Sequence, residues 1–206
     1  MSIVVRRTGQ GVRAADPKRN RHAVDVVLGH LGEIGPAVAA LRRESSRLAE
    51  WGEELARARL RGGKVFAAGS DGSAHEAQRF ASELTAHDAA HNGGGSDGSF
   101  VAIVANKDQG QTISGQIPGV VRRGDIVVLL AAKGITEDLR DAASAAKSAG
   151  AKVWALTGRE SRDLAQAVNE AININTDPPH AEEAHLVAVL ALCECFDESM
   201  RELGKN

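Results

Sequence analysis

Two stretches hold residues whose types and spacing could do chemistry. The first begins at GSDGS, residues 69–73, where Ser70, Asp71, Gly72 and Ser73 join an apolar run to a helical pattern. A strand-to-helix loop of this kind offers an anion the unpaired amides and the positive dipole end of the helix. Ser73 can cap that helix and donate its hydroxyl to the anion. On the helix itself Glu76, Arg79 and Glu83 lie at i, i+3 and i+7, so a guanidinium stands between two carboxylates on one face. On composition alone this is a solvated, salt-bridged stripe. The second stretch follows the Pro178-Pro179 turn and holds His180, Glu182 and His185. With His75 and Glu83 these are the imidazoles and carboxylates that acid–base catalysis or zinc would use, although capping or a structural role is the commoner fate of each histidine. GSDGS recurs at 95–99 inside HNGGGSDGSF. That copy precedes a strand and opens no helix, so it reads as a flexible connector.

The elements that must position these groups follow from hydrophobic periodicity. Apolar residues at helical spacing run from Ala23 to about Leu60, and Gly35-Pro36 should start a second helix within that run. KVFAAGS (64–70), FVAIVA (100–105), DIVVLLAA (125–132), KVWALTG (152–158) and AININ (171–175) are strand patterns. Helical patterns at 73–87, over TEDLRDAASAAKSAG and from about Ala181 to Leu203 lie between and after them, with Ala77, Phe80, Ala81 and Leu84 forming the apolar face of the first. Strands that are apolar throughout and alternate with helices predict a parallel sheet covered on both faces, a three-layer α/β/α fold preceded by a helical pair. Right-handed crossovers put every strand-to-helix loop on one edge of that sheet, where ligands collect near the reversal of strand order.

The 206 residues carry a formal charge of -2 with a pI near 6.4, 25% charged and 43% hydrophobic residues, the composition of an ordinary globular domain. Residues 1–20 read as a flexible basic tail and 21–206 as a single domain. There is no long-range positive field for nucleic acid, and with no tyrosine and 3% aromatics there is little for bases to stack on. No stretch is expected to reach the length of a membrane span, and a cytoplasmic setting follows. Cys193 and Cys195 point to different sides of a helix and read as reduced packing residues.

VFAAGSDGSAHEAQRFASELTAH resembles the first strand, loop and helix of the sedoheptulose-7-phosphate isomerase family, within the SIS (sugar isomerase) fold. The likeness runs on through RRGDIVVLLAAKGITEDLRDAASAAKSAGAKVWALTG, where the family has a Ser/Thr-rich phosphate loop, and ends in HAEEAH, where the family has RIQEXH. It covers about residues 21–200. The resemblance implies a phosphosugar substrate, a homotetramer with N-terminal helices between subunits, and often zinc. Ser73 matches a phosphate-binding serine and Glu83 the catalytic glutamate; His185, in the matched HAEEAH, is the best candidate for an acid. Ala131 and Lys133 stand where the family has serines, while Gly134 and Thr136 fit, so Lys133 and Thr136 can hold a phosphate instead. Arg79 stands at the family's metal-binding histidine, Glu182 at its glutamine and Leu190 at its catalytic histidine, which leaves metal binding open. Arg79, Glu182 and His180 are then candidates for contacts to or around the sugar.

Two functions compete. One is isomerisation of a phosphorylated ketose, with Glu83 as base and Ser73, Lys133 and Thr136 on the phosphate. The other is a non-catalytic SIS protein that senses a phosphosugar or scaffolds a protein partner, which the residues at 79 and 190 favour. A Rossmann nucleotide enzyme is excluded because GSDGSA lacks the G-x-G-x-x-G spacing.

Overall fold

The apolar runs form five strands in the computed structural model, which describes residues 17–92 and 98–204. They are β1 (Val65–Gly69), β2 (Phe100–Ile103), β3 (Ile126–Ala131), β4 (Lys152–Thr157) and β5 (Glu170–Asn173), all parallel and ordered β2-β1-β3-β4-β5. Six α-helices accompany them: α1 (Pro17–Arg43), α2 (Ser45–Leu60), α3 (Ser73–Asn92), α4 (Ile113–Val120), α5 (Glu137–Ser148) and α6 (His180–Leu203). The chain steps from β1 outward to β2, then returns past β1 to β3. The strand order therefore reverses at β1, and the loops after β1 and β3 flank the crevice that parallel sheets use for ligands.

Side chains alternate across the sheet with a period of two. Val65, Ala67, Val128, Leu130, Trp154 and Leu156 face a core shared with α2, α3 and α6; Phe66, Ala68, Val127, Leu129, Val153 and Ala155 face one shared with α4 and α5. Both tryptophans are in the first core, stacked with ring centroids 4.5 Å apart, so neither offers a surface to a base. The helices α2 and α6 approach closely at Gly52, where an added Cβ would lie 2.3 Å from Cys195 Cβ and 3.1 Å from the backbone nitrogen of Phe196. Gly52→Ala is accordingly expected to lower stability by about 1–3 kcal/mol through overpacking, outweighing alanine's better helix propensity, as read from a urea unfolding midpoint.

Three expectations are corrected. The first helix does not stop at Gly35-Pro36 but continues through Pro36 to Arg43, and the break comes at Glu44. Proline removes one hydrogen bond from a helix, and the intact turns on either side carry it across the gap. That continuity joins the apolar stretches on either side of Pro36. Over Arg21–Arg43 the helix is long and apolar enough, by length and composition, to cross a membrane, contrary to the expectation that no stretch would be. The third correction is α4, which sequence periodicity did not reveal because ISGQIPGV mixes three β-branched residues with two glycines and a proline.

The start of α4 is capped from outside its own sequence. Thr112 Oγ1 accepts from the Gly115 amide at 3.0 Å, and Asp138 on α5 accepts from the amides of Ile113 and Ser114 at 2.8 and 2.9 Å. Burial works against an ionised Asp138, but the Ser114 hydroxyl and the two amides outweigh it and hold the carboxyl below its ordinary 3.8. A carboxyl depressed in the folded state stabilises fully above its unfolded value and loses that contribution as pH falls through the folded one. Stability is therefore expected to decline below about pH 4. Asp138→Asn should flatten that part of the profile and cost about 1–3 kcal/mol at pH 7, measured by denaturation at a series of pH values.

The chain divides into two compact units, Met1–Glu33 and Ile34–Asn206, with the boundary inside α1. In the first, Val24, Val27, Leu28 and Leu31 form an exposed apolar stripe at i, i+3, i+4 and i+7. The basic tail and the second GSDGS fall largely outside the described residues: 1–16 and 93–97 are not described, and 17–20 belong to α1.

Candidate active site

Loop geometry after β1 is set by two close approaches. A Cβ at Gly69 would lie 2.3 Å from the Ser73 carbonyl oxygen, so the strand turns sharply into α3 only because residue 69 has no side chain. Asp71 adopts φ 50, the left-handed region that Asp tolerates better than most residues. The carbonyls of Ser70, Asp71 and Gly72 accept from the amides of Ser73, Ala74 and His75 at 3.1–3.2 Å. Those three amides of the expected anion cradle are thus engaged within the turn.

Ser73 is buried, and its hydroxyl oxygen accepts from the Ala132 amide at 3.2 Å. It ties the loop after β1 to the loop after β3, where Gly134 takes φ 63 and Thr136 caps α5 by accepting from the Leu139 amide at 3.2 Å. Lys133 is exposed there and has no ion-pair partner among the described residues.

Beside this junction the start of α3 and the start of α6 enclose a cleft of about 570 Å³, lined by His75, Glu76, Arg79, Glu182, Glu183 and Leu186 among others. Glu182 overhangs Gly72 so closely that a Cβ at residue 72 would lie 2.2 Å from Glu182 Oε1. Its half-buried carboxylate has no hydrogen bond or ion pair among the described residues, and neither does the exposed His75 ring. His180 instead contacts Glu183, Nδ1 to Oε2, at 3.0 Å.

The stripe expected from Glu76, Arg79 and Glu83 does not form as such. Arg79 pairs with Glu83, Nε to Oε1, at 2.5 Å. Glu76 turns inward and is 3% exposed, accepting from Nδ1 of the fully buried His185 at 3.0 Å. Glu76 Oε1 and His185 Nε2 have no partner among the described residues, which leaves two unsatisfied acceptors beneath the cleft. The sequence did carry a signal for this: Glu76 heads the row Glu76, Phe80, Leu84 at i, i+4, i+8, all buried.

Glu83 lies farther along α3, half-buried, and close enough to α6 to act on Cys193. Burial first, then the Glu83 carboxylate, pushes the Cys193 thiol up to about 12, in keeping with an inert packing residue. The donor set the resemblance would need for zinc is not assembled. A guanidinium at 79 offers no lone pair, and Leu190 is an alkyl side chain, 42% exposed. These residues do not fit the metal.

What the cleft brings together is a free carboxylate, a free imidazole and an anchored guanidinium at the switch point of a parallel sheet. A carboxylate and an imidazole can exchange protons with carbon and oxygen, and a guanidinium can offset an oxyanion. Comparison with known proteins identifies the family. The SIS domain family matches residues 100–197. The phosphoheptose isomerase of Streptomyces coelicolor is 34% identical over 87% of this chain and 81% of its own length; that of Mycobacterium bovis is 29% identical over 72% and 80%. Among solved structures, the phosphoheptose isomerase of Neisseria gonorrhoeae superposes with a TM-score of 0.66 at 24% identity, over 85% of this chain and 99% of the other.

Proposed function

Because the chain belongs to the phosphoheptose isomerase family of SIS-domain proteins, we propose that it interconverts a ketose and an aldose that carry a phosphate, with sedoheptulose 7-phosphate the first substrate to test. The observation that carries the reading is Glu182, an unpartnered carboxylate held over the glycine of the loop at the sheet's switch point. In the forward direction Glu182 removes a proton from the carbon next to the ketone, giving an enediolate, and after exchange with solvent delivers a proton to the neighbouring carbon. His75 moves the matching proton between the two oxygens. Arg79 offsets the enediolate's charge, and Lys133 with the loops after β1 and β3 takes the phosphate. No redox partner is needed, since one carbon is oxidised as its neighbour is reduced, two protons change place and no atom is gained or lost.

Glu83, which the resemblance marks as the base, serves here as the anchor of Arg79. His185 serves as a positioning residue that keeps Glu76 in place under the cleft. The exposed stripe Val24, Val27, Leu28 and Leu31 supports homo-oligomerisation, for which the family expectation is a tetramer. A phosphorylated substrate, too charged to enter a bilayer, supports a cytoplasmic setting.

The test is conversion of sedoheptulose 7-phosphate and a panel of five- and six-carbon ketose phosphates by the purified chain, followed by NMR. Turnover of at least one is expected. If phosphosugars raise the melting temperature and none is converted, the protein is a phosphosugar sensor or scaffold instead.

A further inference from the structure

We propose that the opposite edge of the sheet carries a second anion site, built for a diphosphate group. It lies at the N-terminal ends of β1 and β3, about 15 Å along the strands from the active-site loops. There Arg61, Lys64, Arg122 and Arg123 surround a cleft of about 500 Å³ whose other walls include Gly62, Gly63, Gly119 and Gly124.

The cleft is pre-organised. Buried Asp125 accepts from the Lys64 amide through Oδ1 and from the Arg122 amide through Oδ2, both at 2.8 Å, stapling the two loops together. A Cβ at Gly63 would lie 2.6 Å from the Gly124 carbonyl oxygen, so the backbones touch because residue 63 is glycine. Gly62 and Gly124 take φ 78 and 92, positions that disfavour side chains and keep the backbone open. The stem of Arg123 is fixed against Gly150, whose added Cβ would meet Arg123 Cβ at 3.3 Å.

Charge identifies the ligand. Arg61 is paired with Glu54 at 3.1 Å, whereas the side chains of Lys64, Arg122 and Arg123 have no partner among the described residues. The C-termini of α2 and α4 end here, and each attracts about half a positive charge. With Arg61 paired to Glu54, the two helix ends offset Arg122, which lies just past α4, and the Asp125 carboxylate offsets one further charge, so the cleft stays net positive with Lys64 and Arg123 among its unpaired side chains. Several cations held on two stapled loops match a ligand with several closely spaced negative charges, and guanidinium forks suit phosphate oxygens. The size is that of a small-molecule pocket, and no aromatic ring lines it, which disfavours a nucleic-acid strand.

The experiment is calorimetric titration of the full chain with pyrophosphate, ADP, adenosine and a short single-stranded RNA, at low salt and at 150 mM salt. The double variant Lys64→Gln/Arg123→Gln is run alongside, with its ligand-free melting temperature as a check on folding. Pyrophosphate or ADP is expected to bind at 150 mM salt at least tenfold tighter to the native chain than to the double variant, with adenosine silent. Pyrophosphate binding as well as ADP points to a free diphosphate; tighter ADP points to a nucleotide. Equal affinity for both proteins, binding that disappears at 150 mM salt as for an adventitious ion only, or RNA binding more tightly than either ligand would overturn the proposal. Because Lys64 and Arg123 are remote from the active-site cleft, isomerase activity without ligand should be the same in both proteins.

Discussion

Glu182→Gln is expected to lower kcat by about 10²–10⁴-fold while leaving the chain as stable as before and its affinity for a phosphosugar within a few-fold. Glutamine keeps the shape that overhangs Gly72 but cannot accept a proton from carbon. The stability expectation follows from the carboxylate's having no hydrogen bond or ion pair to lose among the described residues. Glu83→Gln discriminates between the two glutamates. If Glu83 anchors Arg79, its loss frees a guanidinium that is 57% exposed and weakens turnover much less than Glu182→Gln does. Kinetic constants for both variants, with urea unfolding as control, check the assignment. A Glu83→Gln loss equal to or larger than that of Glu182→Gln would return the base to Glu83.

The second large effect concerns stability. His185→Phe is expected to cost about 3–5 kcal/mol, because it strands the Glu76 carboxylate in a site that is 3% exposed. Glu76→Met combined with His185→Phe should recover most of that loss, since an apolar pair of similar volume leaves no unmatched polar atom. The double-mutant cycle, read in urea, gives the coupling between the two side chains. A cycle with no coupling would mean that the 3.0 Å contact does not hold α3 to α6.

The architecture was largely legible in the sequence because burial and period agree there. All five strand patterns are strands, and the apolar residues at 77, 80, 81 and 84 are buried on α3 as their spacing required. Failures came where distant groups override local propensity. The helix α4 takes its first-turn partners from Asp138, 25 positions from Ile113 along the chain, and no local pattern reports such a cap. Pro36 reads as a helix start in a short window, yet the long helix absorbs it.

Legibility of the site was lower for the same reason. Charge periodicity put Glu76 with Arg79 and Glu83, but the partner that draws it inward is His185, 109 residues away. Ser73 was expected to face an anion; that its hydroxyl oxygen also accepts from Ala132 on the neighbouring loop is a long-range contact no local pattern reports. That Glu182 would be left unpaired above Gly72 depends on how α6 meets α3, which sequence spacing does not encode.

The most direct test of the central claim is solvent deuterium incorporation at C1 and C2 of sedoheptulose 7-phosphate and the other ketose phosphates, followed by NMR with native protein and Glu182→Gln. Proton transfer at carbon is registered even where net conversion is small. Deuterium uptake with the native chain and its near-complete loss in Glu182→Gln are expected. Uptake that persists undiminished in that variant would contradict the assignment of the base, and no uptake with any phosphosugar that binds would contradict the isomerase itself.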